Sequence, residues 1–239
     1  MPLSKIQFGN TGRRNMIING AMQVAQRGTS GTPTDSFVSL DRFRGRTYGG
    51  SGRFTMEQVS GGDGGVNIPN GEFAKAMKLT VTTAAASVDA YDYSIAQSIE
   101  ADTCAKLGWG RNEASEALKS CTVSFHMKTS IAGVYSVSMR ANGGGRSIVK
   151  ETPSITANTW SKVVLTFVGD TDSGAGIVND NGQGLWVSWH LAAGSNATGG
   201  GSNGAWEHYG GLTDWADGQA TNAVMTTGGA TWPMTECQV

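Results

Sequence analysis

The sequence predicts an all-β protein, an antiparallel β-sandwich of jelly-roll type with long glycine-rich loops. Three observations support this fold class. Several segments alternate between apolar and polar residues, Asn-Gly and Asp-Gly pairs are frequent, and no long segment has a helical period. The chain has 239 residues, a common size for one all-β domain. Its 35 glycines are about twice the usual share.

Alternation predicts where the strands lie. It is clearest in four segments, 91–100, 121–128, 134–140 and 185–191, and weaker in three others, 53–59, 76–83 and 161–168. Side chains of a strand point to opposite faces in turn, so each segment is predicted to be a strand with one buried face. With the turn signals between the segments, about eight to ten strands are expected.

Turn chemistry agrees with this division. Both Asn-Gly and Asp-Gly tolerate the positive φ angles that tight hairpin turns require. One stretch, 112–119, is predicted to form a short helical turn capped by Asn112. Asn-Gly occurs at 19–20, 70–71, 142–143, 181–182 and 203–204, and Asp-Gly at 63–64 and 217–218.

The pattern predicts one domain over 15–239 and an N-terminal arm over 1–14. The arm lacks strand periodicity and contains Arg13 and Arg14, which we expect to contact partner proteins or sister subunits. Residues 195–231 are rich in Gly, Asn and Thr and form a long irregular excursion. Long loops of this kind often carry function.

Charge and composition exclude several classes of function. Eighteen Lys and Arg balance 19 Asp and Glu, so no broad basic surface exists for nucleic acid or anionic lipid. No apolar run reaches the length of a membrane span, and the first residues are too polar for a signal peptide, so synthesis in the cytoplasm is expected. Three cysteines without CxxC spacing argue against a zinc site, and Cys121 and Cys237 are expected to pack as free thiols.

No local motif indicates an enzyme. The sequence lacks HExxH, GxSxG and the phosphate-binding loop, and its three histidines, His126, His190 and His208, stand far apart in the chain. We therefore expect a non-enzymatic protein without a cofactor.

Oxygen-rich loops at 169–174 and 179–182 make Asp170, Asp172 and Asp180 weak calcium candidates. The full twelve-residue EF-hand pattern is absent. Asp and Asn side chains in such loops more often bond their own backbone in Asx-turns, so no metal site is predicted.

Aromatic residues of the 195–231 excursion suggest a different ligand. Aromatic rings beside amides and carboxylates suit a sugar, whose C–H face stacks while its hydroxyls form hydrogen bonds. The alternative, which we favour, is that these rings hold the loop or contact another subunit. The candidate glycan-binding residues are Trp206, Glu207, Tyr209, Asp214 and Trp215.

Three further tryptophans are placed by the strand pattern. Trp160 and Trp189 are expected in the core. Trp186 falls on the face opposite Trp189, and it is expected to be exposed or to contact another subunit.

Six segments, in order, resemble a family of bacteriophage virion proteins found in tail fibres and on head surfaces. The longest is residues 15–30 (NMIINGAMQVAQRGTS), here called the opening segment. The others are LDRF at 40–43, QSIE at 97–100, TVSFHMKTS at 122–130, GDT at 169–171 and WPMTECQV at 232–239. The resemblance runs from Asn15 to the C-terminus. It implies a β-sandwich similar to carbohydrate-binding modules, on a virion surface, without catalytic residues to carry over.

Three positions depart from the family pattern. Phe43 and His126 stand where the family usually has Trp, and Glu236 stands where Gly is usual. Gly at 236 would permit a bulge in the last strand, which Glu makes less easy.

The opening segment has a structural interpretation of its own. Met22 and Val24 are expected in the core. Polar side chains are expected to form structural bonds rather than to bind a ligand, namely those of Gln23, Gln26, Arg27 and Arg42.

These observations predict a virion structural protein made in the host cytoplasm, either a head decoration or a fibre component. Its expected partners are other virion proteins and its own copies, with a trimer as the expected state. The alternative is a tail-fibre module that binds a cell-surface glycan for host recognition.

Overall fold

The computed structural model describes residues 15–61, 74–88, 92–109, 119–141, 145–172, 177, 180–194, 197, 203–208, 216 and 224–239. Several predictions fall outside these residues. They are the arm with Arg13 and Arg14, most of the 112–119 turn, and the candidate residues Tyr209, Asp214 and Trp215.

The described residues form two six-stranded antiparallel sheets. In spatial order the first sheet contains β1 (Ser30–Gly31), β3 (Arg53–Ser60), β4 (Lys75–Thr83), β12 (Thr231–Gln238), β6 (Cys121–Met127) and β9 (Ser161–Phe167). The second contains β11 (Trp206–His208), β8 (Arg146–Glu151), β7 (Ser136–Ala141), β10 (Gln183–Ala193), β5 (Asp92–Glu100) and β2 (Arg44–Tyr48). One helical turn, α1 (Ala101–Cys104), continues into a 3₁₀ turn at Ala105–Leu107.

This arrangement confirms the predicted antiparallel sandwich. All seven segments with alternating residues are strands, and their bounds agree within about two residues. The last strand, β12, inserts between β4 and β6, so neighbours in the sheet are far apart in sequence. Within the described residues, no helix is long and apolar enough to cross a membrane.

The main core lies between the two sheets. Trp189 is fully buried there, with ring centroids 6.1 Å from Phe43 and 6.2 Å from Phe125. The prediction that Trp189 belongs to the core is confirmed. Trp160 lies apart from it, half-buried against Ala76. The three cysteines are free and buried, as expected for Cys121 and Cys237.

The two sheets differ in how many faces they bury. In β6 and β9 of the first sheet, buried and more exposed residues alternate as predicted. In the second sheet, outward-facing residues such as Ser94, Ser138 and Ser188 are at most 2% exposed. The prediction of one buried face is therefore right for these strands of the first sheet and wrong for the second.

The opening segment lies against the C-terminal strand of the fold. The Asn15 side chain donates to Cys237 O and accepts from Val239 N, which joins the segment to the last strand. A Cβ at Gly20 would collide with Cys237 O, so this position requires glycine. These contacts fix the segment as part of the domain.

One core prediction in the opening segment is wrong. Met22 is fully buried, as expected, but Val24 is 43% exposed. Asn19 binds both the N–H and the carbonyl of Val24, and this local turn places the Val24 side chain on the surface. Much of the structural bonding comes from Asn15 and Asn19 rather than from the predicted Gln23, whose amide reaches only Ala21 O.

The last strand contains a bulge at the position where the virion proteins that the sequence resembles usually have glycine. The pairing of β12 with β6 shifts by one residue between Thr235 and Gln238. Glu236 adopts a φ of 57°, a left-handed conformation that is strained for a residue with a Cβ. The bulge therefore forms despite the glutamate.

Candidate functional site

The outward side of the second sheet forms a polar surface, here called the polar face. Leu185, Val187 and Trp189 of β10 point into the core, so the residues between them point away from it. Directly paired residues of antiparallel strands point to the same side, which extends the surface over the neighbouring strands. The paired positions give the polar face as Arg44, Arg46, Ser94, Ser98, Ser138, Arg140, Ser147, Trp186, Ser188, His190 and Glu207.

One end of the polar face is covered. Ala193, at the end of β10, clusters with Ala197 and Ala216 of the 195–231 excursion. Close to this end, Ser138 Oγ and His190 Nε2 lie 2.8 Å apart, and both residues are buried. This hydrogen bond satisfies the histidine within the sheet.

The opposite corner of the polar face is accessible. Four neighbouring residues there are half-buried rather than buried, namely Arg44, Ser98, Arg140 and Trp186. Trp186 is paired with Ser98 on one side and with Arg140 on the other. We call these four residues the open corner.

Trp186 is stacked with arginines. The Cζ atoms of Arg44 and Arg46 lie 5.4 and 5.1 Å from its ring centroid. Asp35 pairs with both guanidinium groups, at 2.8 Å to Arg44 and 3.3 Å to Arg46. The carboxylate and the two cation–π contacts hold the indole in a defined position.

The indole nitrogen of Trp186 is buried and has no hydrogen-bond partner among the described residues. Ser136 Oγ, next to the polar face on β7, is in the same situation. A buried donor without a partner is costly unless water or a ligand satisfies it. The indole nitrogens of the core residues Trp189 and Trp232 are in the same situation, so an unpartnered indole N–H does not by itself mark a site.

One cleft adjoins the open corner through Ser98, and a second cleft lies next to the first. The first, of about 240 Å³, is lined among others by Phe37, Arg42, Ser98 and Glu100. The second, of about 500 Å³, lies against the opening segment and shares Phe37 and Arg42 with the first. A molecule bound at Trp186 can therefore extend along this side of the domain.

Trp206, a candidate glycan-binding residue, is half-buried and packs against the core. It is paired with Ile148, which belongs to the core, and its ring makes an edge contact with buried Trp109 at 5.2 Å. Its indole N–H donates to Val168 O at 2.8 Å. This geometry agrees with the favoured alternative, in which the ring holds the loop.

Glu207 points the other way. It is paired with Ser147, which in turn is paired with Arg140 of the open corner. Of the predicted glycan-binding residues within the described part of the chain, Glu207 is the one on the polar face.

The calcium candidates make structural contacts. Asp170 is buried, and its two carboxylate oxygens accept from Nε and Nη2 of Arg146 at 2.8 and 2.9 Å. The hydrogen bonds that Arg146 donates to Asp170 raise the pKa of Arg146 above its ordinary value. Asp172 lies at the edge of this pair, 3.5 Å from Arg146 Nη1.

Asp180 forms an Asx-turn, since its Oδ1 accepts from Gly182 N at 2.9 Å. The described residues contain no cluster of three or more His, Cys, Asp or Glu side chains able to hold a metal ion. Asp170 and Asp180 thus have the local bonding that the sequence favoured over a metal site.

Sequence reasoning missed the two arginines that contact Trp186. Arg44 and Arg46 belong to a short strand with a glycine between them, so no apolar alternation marked it. The available signal was the spacing itself, because residues two apart in a strand share a face.

No family model and no curated protein matches this sequence. Similar solved structures include the enzymatically active domain of tailspike protein 4 from bacteriophage CBA120, at 12% identity and a TM-score of 0.44. The match covers 94% of this chain and 21% of the tailspike chain.

Two carbohydrate-binding modules are also similar in fold. TmCBM61, in complex with β-1,4-galactotriose, is 11% identical, with coverages of 94% and 97% and a TM-score of 0.39. A CBM4 structure is 10% identical, with coverages of 93% and 98% and a TM-score of 0.38. Likeness at this level carries no information about function, which has to come from the residues.

Proposed function

We propose that this protein is a non-enzymatic module of a phage particle and that it binds glycans through the open corner of its polar face. The observation that carries the proposal is Trp186. It stands on the outer side of a sheet, half-buried, with its ring in contact with Arg44 and Arg46.

The open corner matches the chemistry of a sugar. A pyranose ring presents a face of C–H groups, which stacks on an indole, and hydroxyls that need hydrogen-bond donors and acceptors. Arg44 and Arg140 offer several N–H donors in a fixed plane, and Ser98 offers a hydroxyl. Glu207, at the end of the same row, supplies a carboxylate acceptor.

The phage context is supported by the resemblance of the opening segment and of the C-terminal segment to virion proteins. The non-enzymatic character is supported by the absence of hydrolase and nucleophile motifs from the sequence. Both remain parts of the proposal.

A glycan array with bacterial capsular and O-antigen polysaccharides tests the proposal. We expect wild type to bind at least one polysaccharide and Trp186→Ala to lose roughly tenfold or more in affinity, the cost of removing an aromatic anchor. Trp160→Ala is the matched control, because Trp160 lies against the first sheet. Equal binding by wild type and Trp186→Ala would refute the site.

A second candidate function is particle assembly, and a specific edge favours it. In the described part of the chain, β9 pairs only with β6, and Val164 and Val168 beside its free edge are 55% and 50% exposed. An unpaired edge strand is a template for pairing with another chain. A second copy of this chain is the occupant we propose, within a trimer.

Sedimentation of wild type and Val164→Lys tests this assembly role. We expect a trimer for wild type and a shift toward monomer for the variant, since an edge lysine opposes strand pairing. A wild-type monomer at high concentration would contradict it.

Deletion of 1–14 should leave a folded domain that no longer enters particles, and normal incorporation would remove the attachment role of the arm.

A further inference from the structure

The two clefts beside the open corner are parts of one groove. Phe37 and Arg42 line both clefts, so the clefts meet at these two side chains. The smaller cleft includes Ser98, which is the cross-strand partner of Trp186. Directly paired side chains have Cβ atoms about 5 Å apart. The groove therefore begins at Ser98, beside Trp186, and runs past Phe37 to the opening segment.

The far end of the groove has an apolar platform. Phe37 is 44% exposed, and the Arg27 guanidinium lies 5.7 Å from its ring centroid. Ile18 and Val24 supply two more exposed apolar side chains in the same cleft. An aromatic ring with an arginine stacked on it repeats the combination found at Trp186.

The platform is held rigidly. Gln97 binds both peptide groups of Ile18, and Asn19 binds both peptide groups of Val24. Gln26 N donates to Asp41 Oδ1, which also lies 3.7 Å from Arg27. A preformed surface loses little conformational entropy when a ligand binds. Binding to it is therefore more favourable than binding to a surface that must first become ordered.

Polar groups line the path between the two aromatic residues. Arg42 and Glu100 form a loose pair at 3.5 Å, with 41% and 54% of their side chains exposed. Gln183 lies opposite Glu100 in the same cleft. These donor and acceptor groups suit the hydroxyls of successive sugar units. A continuous apolar wall would instead suit a protein helix.

We infer that the ligand is an internal segment of a linear polysaccharide, bound along the groove from Trp186 to a second aromatic subsite at Phe37. This inference rests on the proposed glycan-binding function. It adds that several consecutive sugar units are recognised, so a terminal sugar alone does not fill the site.

A length series tests the inference. Oligosaccharides from disaccharide to decasaccharide are prepared by partial hydrolysis of a capsular or O-antigen polysaccharide that the wild-type protein binds. Their affinities are measured by titration calorimetry for wild type, Trp186→Ala, Phe37→Ala and Trp160→Ala. Val24→Ser serves as a second groove variant, and thermal unfolding checks that every variant is folded.

The expected pattern separates the two subsites. For wild type, affinity rises with length and then reaches a plateau. Phe37→Ala should lose roughly tenfold for the long members and change little for the disaccharide, whereas Trp186→Ala weakens all of them. Trp160→Ala should behave as wild type.

Three outcomes overturn the inference. Binding that is independent of length, or unaffected by Phe37→Ala and Val24→Ser, leaves the glycan site but removes the second subsite. Normal glycan affinity with lost particle incorporation in Phe37→Ala assigns the platform to a protein contact. Absence of wild-type binding to every polysaccharide removes the proposed function and this inference together.

Discussion

Gln97 and Ile18 are joined by two hydrogen bonds although they are 79 residues apart. Ile18 N donates to Gln97 Oε1 at 2.7 Å, and Gln97 Nε2 donates to Ile18 O at 3.0 Å. Gln97 is 1% exposed on the inner side of β5. A buried amide thus pairs with a peptide unit of the opening segment as another strand would, and it fixes this segment on the sandwich.

Gln97→Ala should lower the free energy of unfolding by about 1–3 kcal/mol, because both peptide groups of Ile18 lose their partner. Gln23→Ala, which removes an exposed glutamine of the opening segment, should change it by less than about 0.5 kcal/mol. Urea titration of both variants provides the measurement. Equal losses would mean that the pair with Ile18 contributes nothing specific.

Glu236→Gly should stabilise the protein by about 1 kcal/mol, since glycine relieves the left-handed strain at the bulge of β12. Glu57→Gly, in the regular strand β3, is the control and should destabilise it. Thermal unfolding compares the two. A Glu236→Gly variant less stable than wild type would show that the glutamate side chain makes a contact more favourable than the strain.

Asp170→Asn should destabilise the protein by about 3 kcal/mol, because it removes the nearer carboxylate of the buried Arg146 guanidinium and leaves the more distant Asp172. Asp172→Asn should cost less than about 1 kcal/mol, as its contact with Arg146 is longer and half-exposed. Chemical unfolding distinguishes these values. Similar small losses for both would contradict the assignment of the ion pair.

The thiol of Cys121 should resist alkylation in the native protein. Burial raises its pKa from 9.0 to about 12, so the reactive thiolate is absent near neutral pH. Because the pKa of this thiol is higher in the folded state, the thiol contributes stability in full below pH 9.0. This contribution is lost as the pH rises toward about 12. Labelling with iodoacetamide should follow global unfolding, and Cys121→Ala should lose less stability at alkaline pH than wild type. Rapid native labelling would contradict the burial.

The strands were predictable because apolar and polar residues alternate along most of them, including β5, β7 and β10, whose polar residues are largely buried. This alternation also located β6 and β9, whose outer residues are exposed or half-buried. It missed β2 and β8, where arginine, serine and glycine occupy a sheet buried on both sides. Sequence periodicity cannot show that a polar residue is buried, since burial depends on what covers the sheet.

The candidate site was predictable only in part. Trp186 was recognised as pointing away from the core, from its parity with Trp189. Trp206 was a candidate sugar-binding ring because of the polarity of its neighbours, but its pairing with Ile148 turns it inward, as the favoured alternative had it. Which aromatic residue faces solvent is set by strand register, and β11 has three residues, too few for a pattern.

The most direct test of glycan binding at the open corner is the NMR signal of the Trp186 indole N–H, one of seven in the chain. Trp186→Phe assigns the signal by its disappearance. On titration with the polysaccharide that binds on the array, we predict that this signal shifts first and furthest, while those of buried Trp189 and Trp232 stay in place. A shift confined to Trp206, or no shift during proven binding, would contradict the site.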